Sequence, residues 1–134
     1  MKVNFTIEGE AKGKERPRFN TKTGRAYTAE QTMLYENWVK LLYRSTVKHY
    51  FQGNVKLIVN CYYDITKKDR AAIDKNKINT KEFQEAKAKL DGTTRPTKKP
   101  DLDNIIKAIA DSLNGIAYKD DAQIVEVESK KFYS

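Results

Sequence analysis

Between Leu102 and Leu113 the apolar residues Leu102, Ile105, Ile106, Ile109, Ala110 and Leu113 recur at three- and four-residue intervals, the spacing that lines one face of an α-helix. Asn114-Gly115 follows as a C-terminal stop, because glycine takes the left-handed backbone that ends a helix without steric cost. The pattern predicts a helix from residue 102 or 103 to 114. On its other side Asp103, Lys107 and Asp111 are four residues apart, which makes them a nearly straight stripe. Asp101 precedes the helix, where unpaired backbone amides favour negative charge. Lys119-Asp120-Asp121 then leads into a strand-like run from Ala122 to Val127, and a short turn between helix and strand can carry this second acidic pair back toward the first.

Other elements are legible upstream. Val3, Phe5 and Ile7 alternate with polar residues and predict a half-buried strand over 2–8. Residues 11–25 carry six basic residues against Glu15 alone, with Gly13, Pro17 and Gly24 as punctuation. They read as a basic hairpin or open loop, either solvated or contacting phosphates. Thr28 and Gln31 form a capping pair for a helix over 29–46. Leu34, Trp38, Leu41, Leu42 and Ser45 are its expected core stripe, so Trp38 is expected to pack inward rather than to stack on a base. VKLIVNCYY, residues 55–63, is rich in β-branched and aromatic types and predicts a central strand in which Cys61 acts as a small buried hydrophobe. His49 and a distant Cys61 supply too few ligands for zinc, and His49 is given a surface or structural role.

From Thr66 to Pro100 eleven basic residues face five acidic ones and apolar residues are sparse. A short helix over 80–90, capped by Thr80 and followed by Gly92, is expected there. Pro96 and Pro100 keep the flanks irregular. The basic stretch 66–94 is read as an insertion or a flap within one domain spanning 1–134.

The length of 134 residues leaves little room for a second core. With 39% apolar residues the interior is modest, and association into a dimer would let it bury more apolar area. The formal charge of +8 attracts polyanions in a salt-dependent way. One cysteine forms no intrachain disulfide, which excludes a disulfide-stapled secreted fold. No stretch approaches the roughly 20 apolar residues of a membrane span; a soluble, cytoplasmic protein is expected. The fold class expected is α/β (α+β), a small mixed β-sheet packed with helices.

Three or four converging carboxylates repel one another unless a cation or proton neutralises them. Oxygen donors without His or Cys suit magnesium or manganese, and phosphodiester hydrolysis is the natural chemistry of such an ion. The same residues also fit a capped helix followed by a solvated acidic turn, with Asp101 or Asp103 as the cap. Spacing alone leaves both readings open.

The text RPTKKPDLDNIIKAIADSLNGIAYKDDAQIVEVESKKF, residues 95–132, resembles the RusA family of Holliday-junction resolvases, especially its phage and prophage branch. The combination of DLDN, Lys107, Asp111 and NGIAYKDDAQI carries the resemblance. It implies a homodimeric, magnesium-dependent crossover junction endodeoxyribonuclease, with Mn2+ as a substitute, that nicks four-way junctions symmetrically and leaves 5′-phosphate and 3′-hydroxyl ends. It implies Asp101, Asp103 and Asp121 as catalytic metal ligands with Lys107 essential. Lys107 is expected to contact the scissile phosphate or to tether the carboxylates, Asp120 to bind metal or hold the turn, and Asp111, one turn away, to support Lys107. Lys12, Lys14, Arg16, Arg18, Lys98 and Lys99 are the expected DNA contacts. A nuclease of flaps, forks or D-loops and a non-catalytic binder of branched DNA are the alternatives.

Overall fold

The computed structural model describes residues 1–14, 18–27 and 30–134. Its elements are β1 (Arg18–Asn20), β2 (Arg25–Tyr27), α1 (Glu30–Thr46), β3 (Val55–Tyr63), α2 (Lys67–Lys75), α3 (Lys81–Leu90), α4 (Leu102–Ser112), a 3-10 turn (Asp121–Gln123) and β4 (Ile124–Tyr133). This is the mixed α/β architecture that the sequence predicts. β1 and β2 form an antiparallel hairpin, and β3 and β4 form a second two-stranded sheet. β3 and β4 run parallel, since Ser134 donates its N–H to Tyr63 O at 2.8 Å while Ile65 N–H donates to Ser134 O at 3.1 Å. The hairpin turns because Asn20 Oδ1 accepts from Lys22 N at 2.9 Å and Thr23 N at 3.3 Å, and Gly24 adopts φ +69°.

The chain divides into two compact units. The first comprises Met1–Ile58 and Pro100–Glu128. In it α1 packs on α4, with Val39 and Tyr43 of one helix and Ile105, Ala108 and Ile109 of the other buried. Tyr43 hydroxyl donates to the carbonyl of His49, and the His49 ring meets Phe51 edge-on at 4.4 Å, which is the structural role expected of the lone histidine. The second unit comprises Val59–Lys99 and Ser129–Ser134. Here α2 packs on α3, each capped by a threonine: Thr66 accepts from Asp69 N and Thr80 from Phe83 N. Lys89 pairs with Asp69 at 2.6 Å. Cys61 is buried as expected, and burial, against the lowering charge of Lys131, raises its thiol pKa.

Three expectations are corrected. Residues 2–8 alternate in exposure but join no sheet; alternation reports which side chains meet the core, not whether the backbone finds a partner. Helix α1 has nearly the expected bounds, but its buried residues are Thr32, Val39 and Tyr43. Leu34, Trp38 and Leu41 are exposed, so Trp38 is not a core residue. The final strand begins only at Ile124, because residues 121–123 close a 3-10 turn first. The Thr28 cap lies outside the described residues.

The N-terminal segment approaches α4 closely. Lys14 N–H donates to Asn104 O at 3.0 Å, and a Cβ on Gly13 would stand 3.0 Å from Pro100 Cβ and 3.1 Å from Asn104 Cβ. Gly13→Ala therefore forces this contact apart and should destabilise the protein by about 1–3 kcal/mol, measured as a lower urea midpoint at unchanged slope. An unchanged midpoint would mean the approach has slack.

Candidate active site

Helix α4 starts at Asp101, whose backbone is extended (φ −64°, ψ 144°) and whose side chain makes no capping hydrogen bond. The carboxylate of Asp101 is thus not engaged in capping. Asp103 lies in the first turn, and both are exposed at the helix end whose amides favour negative charge. Lys107, one turn on, is also exposed. Among the described residues no carboxylate lies within ion-pair distance of it, so the expected support from Asp111 is not what the structure shows.

Asp111 turns instead to Lys14. The Lys14 ammonium lies 2.5 Å from Glu36 of α1 and 3.2 Å from Asp111 of α4, with 18% of its side chain exposed. Burial by itself lowers the Lys14 pKa, but the hydrogen bonds and charges of Glu36 and Asp111 outweigh it and the net shift is upward. Neither this inward ammonium nor Glu36 was anticipated as part of the site. A signal existed for Glu36, which falls on the same helical face as Thr32, Val39 and Tyr43; a charge on a buried stripe needs a partner.

Beyond α4 the chain reverses tightly. Ala117 N–H donates to Leu113 O at 3.0 Å and Gly115 N–H to Tyr118 O at 2.7 Å, with Gly115 at φ +76°. Tyr118 is buried and donates its hydroxyl to Ala110 O at 2.6 Å. The turn that follows is a capping box, in which the Asp120 side chain accepts from Gln123 N and Gln123 Oε1 accepts from Asp120 N at 3.4 Å; Asp120 also accepts from Ala122 N at 3.4 Å and Gln123 Oε1 from Lys119 N at 2.9 Å. The Gln123 amide nitrogen donates to Phe51 O at 3.2 Å and Gly53 O at 3.0 Å. Asp120 therefore holds the turn, one of the two roles envisaged for it.

This reversal brings Asp121 to Asp111. Partial burial first, then the proximity of Asp111 and the charge of Asp120, raise the Asp121 pKa from its ordinary value. Burial first, then the charges of Asp121, Asp111 and Asp120, raise the Tyr118 hydroxyl as well. The structure thus brings Asp120 and Asp121 toward Asp111, which itself meets Lys14. It does not assemble Asp101, Asp103 and Asp121 into a cage: among the described residues no group of three or more His, Cys, Asp or Glu is arranged to hold a metal ion. In donor chemistry the carboxylates are oxygen ligands of the kind that suits a hard divalent cation.

Of the expected DNA contacts, Lys12 is exposed near Glu10 and Lys99 is exposed, while Lys98 Nζ lies 5.2 Å from the centre of the Tyr63 ring. Arg16 lies outside the described residues, and Arg18 is placed only as backbone in β1. No helix among the described residues is long and apolar enough to cross a membrane.

An acidic stripe on a helix, a returning Asp-Asp turn and a strongly basic chain define a candidate nuclease of polyanionic substrate. The chain belongs to the family described as "Endodeoxyribonuclease RusA", whose model matches residues 8–134. It is 31% identical over 135 residues to "Uncharacterized protein YqaN" of Bacillus subtilis (strain 168), across 98% of this chain and 88% of that protein. No solved structure matches it.

Two outcomes follow from the electrostatics. A raised Asp121 pKa means that its ionisation opposes folding, so the stability it contributes when protonated is lost as pH rises through the folded-state pKa. Asp121→Asn should raise the unfolding free energy at pH 7 by a few tenths of a kcal/mol, read as a higher urea midpoint, with the gain shrinking as pH falls through the carboxylate range; a lower midpoint at pH 7 would show that no net repulsion acts there. Lys14→Met leaves Asp111 and Glu36 without their shared cation and should cost about 1.5–3 kcal/mol, read in the same titration. A loss under roughly 0.5 kcal/mol would place the pair with ordinary surface ion pairs.

Proposed function

We propose that this RusA-family endodeoxyribonuclease resolves four-way DNA junctions by paired symmetrical nicks, as a homodimer using magnesium, with manganese as a substitute. The observation that carries the reading is the crowding of Asp111, Asp120 and Asp121 at the end of α4, strong enough to raise the Asp121 pKa in a chain of net charge +8. Asp101, Asp103 and Asp121 are the proposed ligands, with Asp120 able to join them. A divalent ion there supplies a water of lowered pKa and neutralises charge developing at phosphorus. DNA binding would have to bring Asp101 and Asp103 into register with Asp121, a movement of side chains and of the turn that carries Asp121.

Lys107 is free to meet the scissile phosphate, since no carboxylate among the described residues holds it, and its ammonium stabilises added negative charge. Lys12, Arg16, Arg18, Lys98 and Lys99 are proposed as backbone contacts that position DNA without reading bases. Lys14 was also expected as such a contact, but its ammonium is engaged by carboxylates. A dimer supplies two equivalent centres for opposed strands. Residues 66–94 complete the proposal as a basic insertion or flap of a single domain, in a protein of the bacterial cytoplasm encoded by a phage or prophage.

The test is cleavage of a fixed four-way junction, a flap and a linear duplex under identical magnesium and salt, with ends mapped on all four strands. Paired nicks at symmetrical positions, with 5′-phosphate ends, are expected on the junction. Preferential cutting of the flap would replace this reading by a flap or fork nuclease. Asp103→Asn should lower nicking by at least about 100-fold while junction binding persists; undiminished cleavage would remove Asp103 from the metal site.

A further inference from the structure

Helix α1 has two faces of different use. At 100° per residue Thr32, Val39 and Tyr43, the buried residues, lie together on one side. Leu34, Trp38, Leu41 and Ser45 fall within an arc of about 60° on the opposite side. There Leu34 is 62% exposed, Leu41 57% and Trp38 43%. Isolated exposed apolar residues are ordinary; three aligned along one helix face, one of them the single tryptophan of the chain, form a patch that calls for a cover.

The charges along α1 indicate what covers it. Glu30 stands in the first turn and Arg44 in the last. Between them Asn37, next to Trp38, adds no charge, Glu36 is committed to Lys14, and Lys40 lies about 130° round the helix from the centre of the exposed apolar arc. An acidic start and a basic end are self-complementary when the helix meets a copy of itself running the other way. A two-fold axis passing between residues 37 and 38 sets Leu34 against Leu41 of the second copy and brings the two Trp38 side chains together near the axis. It also lays Glu30 and Gln31 alongside Arg44 and Ser45 of the second copy, and opposes the two helix dipoles favourably.

We infer that the Leu34–Trp38–Leu41 face of α1 is the dimer surface of this protein, occupied by the same face of a second copy in antiparallel two-fold pairing. The inference rests on the dimeric reading given above and names the surface that would build it. An isologous contact of this kind closes on itself and leaves no free edge for further growth. It also leaves α4 on the opposite side of α1, so dimerisation and the carboxylate site use different faces of the helix.

The experiment combines sedimentation velocity over a wide concentration range with Trp38 fluorescence. Wild type should sediment as a dimer, and its emission should shift to longer wavelength on dilution as Trp38 is uncovered. Leu34→Glu and Leu41→Glu, both at exposed positions and checked for unchanged circular dichroism, should each weaken dimerisation by roughly 30-fold or more. Glu30→Arg and Arg44→Glu should each weaken it, and the double variant should regain much of the loss. Dimers unaffected by all four substitutions would overturn the α1 surface while leaving the dimeric nuclease intact. A wild type that is monomeric at every concentration would overturn both the surface and the dimer, whereas α1-dependent dimers that cut no junction would uphold the surface and refute only the activity.

Discussion

The site depends on holding carboxylates together against their own repulsion. Asp121 lies close enough to Asp111 and Asp120 for both to raise its pKa, an arrangement that lowers stability unless packing elsewhere holds it. Two anchors do so. One is the apolar face of α4, where Ile105, Ala108, Ile109 and Leu113 are buried and set the helix firmly on α1. The other is Gln123, which ties the acidic turn to the carbonyls of Phe51 and Gly53. Between them the chain reverses through Gly115, whose φ of +76° any side chain would strain. Removal of an anchor would relieve the carboxylates by letting them separate, so their proximity is a property of the packed unit and not of the local sequence.

The wider charge distribution answers a second difficulty. An acidic centre by itself repels a phosphodiester backbone, yet the chain carries +8 overall, so the far field seen by DNA is attractive. The basic residues are not all available for this purpose. Lys14 is held between two carboxylates and Lys89 pairs with Asp69, whereas Lys107 has no such partner among the described residues. Ionic contacts within the fold therefore sort the lysines into those that stabilise it and those left to face solvent or a ligand.

Periodicity and capping made several elements legible. Helix α4 was readable because its apolar positions are unbroken and Asn114-Gly115 follows; α3 was readable from Thr80 and the thin stripe of Phe83 and Ala86, both buried in the structure. Helix α2 was not, because none of its residues is buried and one of its ties is the contact of Asp69 with Lys89, twenty residues away, which no local pattern reveals. For α1 the length was legible and the face was not. Hydropathy favours Leu34, Trp38 and Leu41 over Thr32 and Tyr43, but hydropathy cannot say whether an apolar stripe meets its own core or another molecule. The acidic residues were legible as a set, while their grouping was not: the expected pairing of Asp111 with Lys107 followed from the four-residue spacing, and the observed pairing with Lys14 spans most of the first unit.

Lys14 also bears on the charge balance of the proposed site. Its segment reaches α4 because Gly13 lacks a Cβ where Pro100 and Asn104 close in, and this approach delivers one ammonium to Glu36 and Asp111. Asp120 and Asp121 stand beyond those two carboxylates, and the upward shift of the Asp121 pKa persists with Lys14 in place. One fixed positive charge thus serves Asp111 without neutralising the whole group. A protein needing only a stable turn would be better served by replacing Asp121 with a neutral residue, since its ionisation works against the fold. A partly buried carboxylate under net repulsion makes physical sense where a cation completes the neutralisation, and the divalent ion proposed above would meet that requirement.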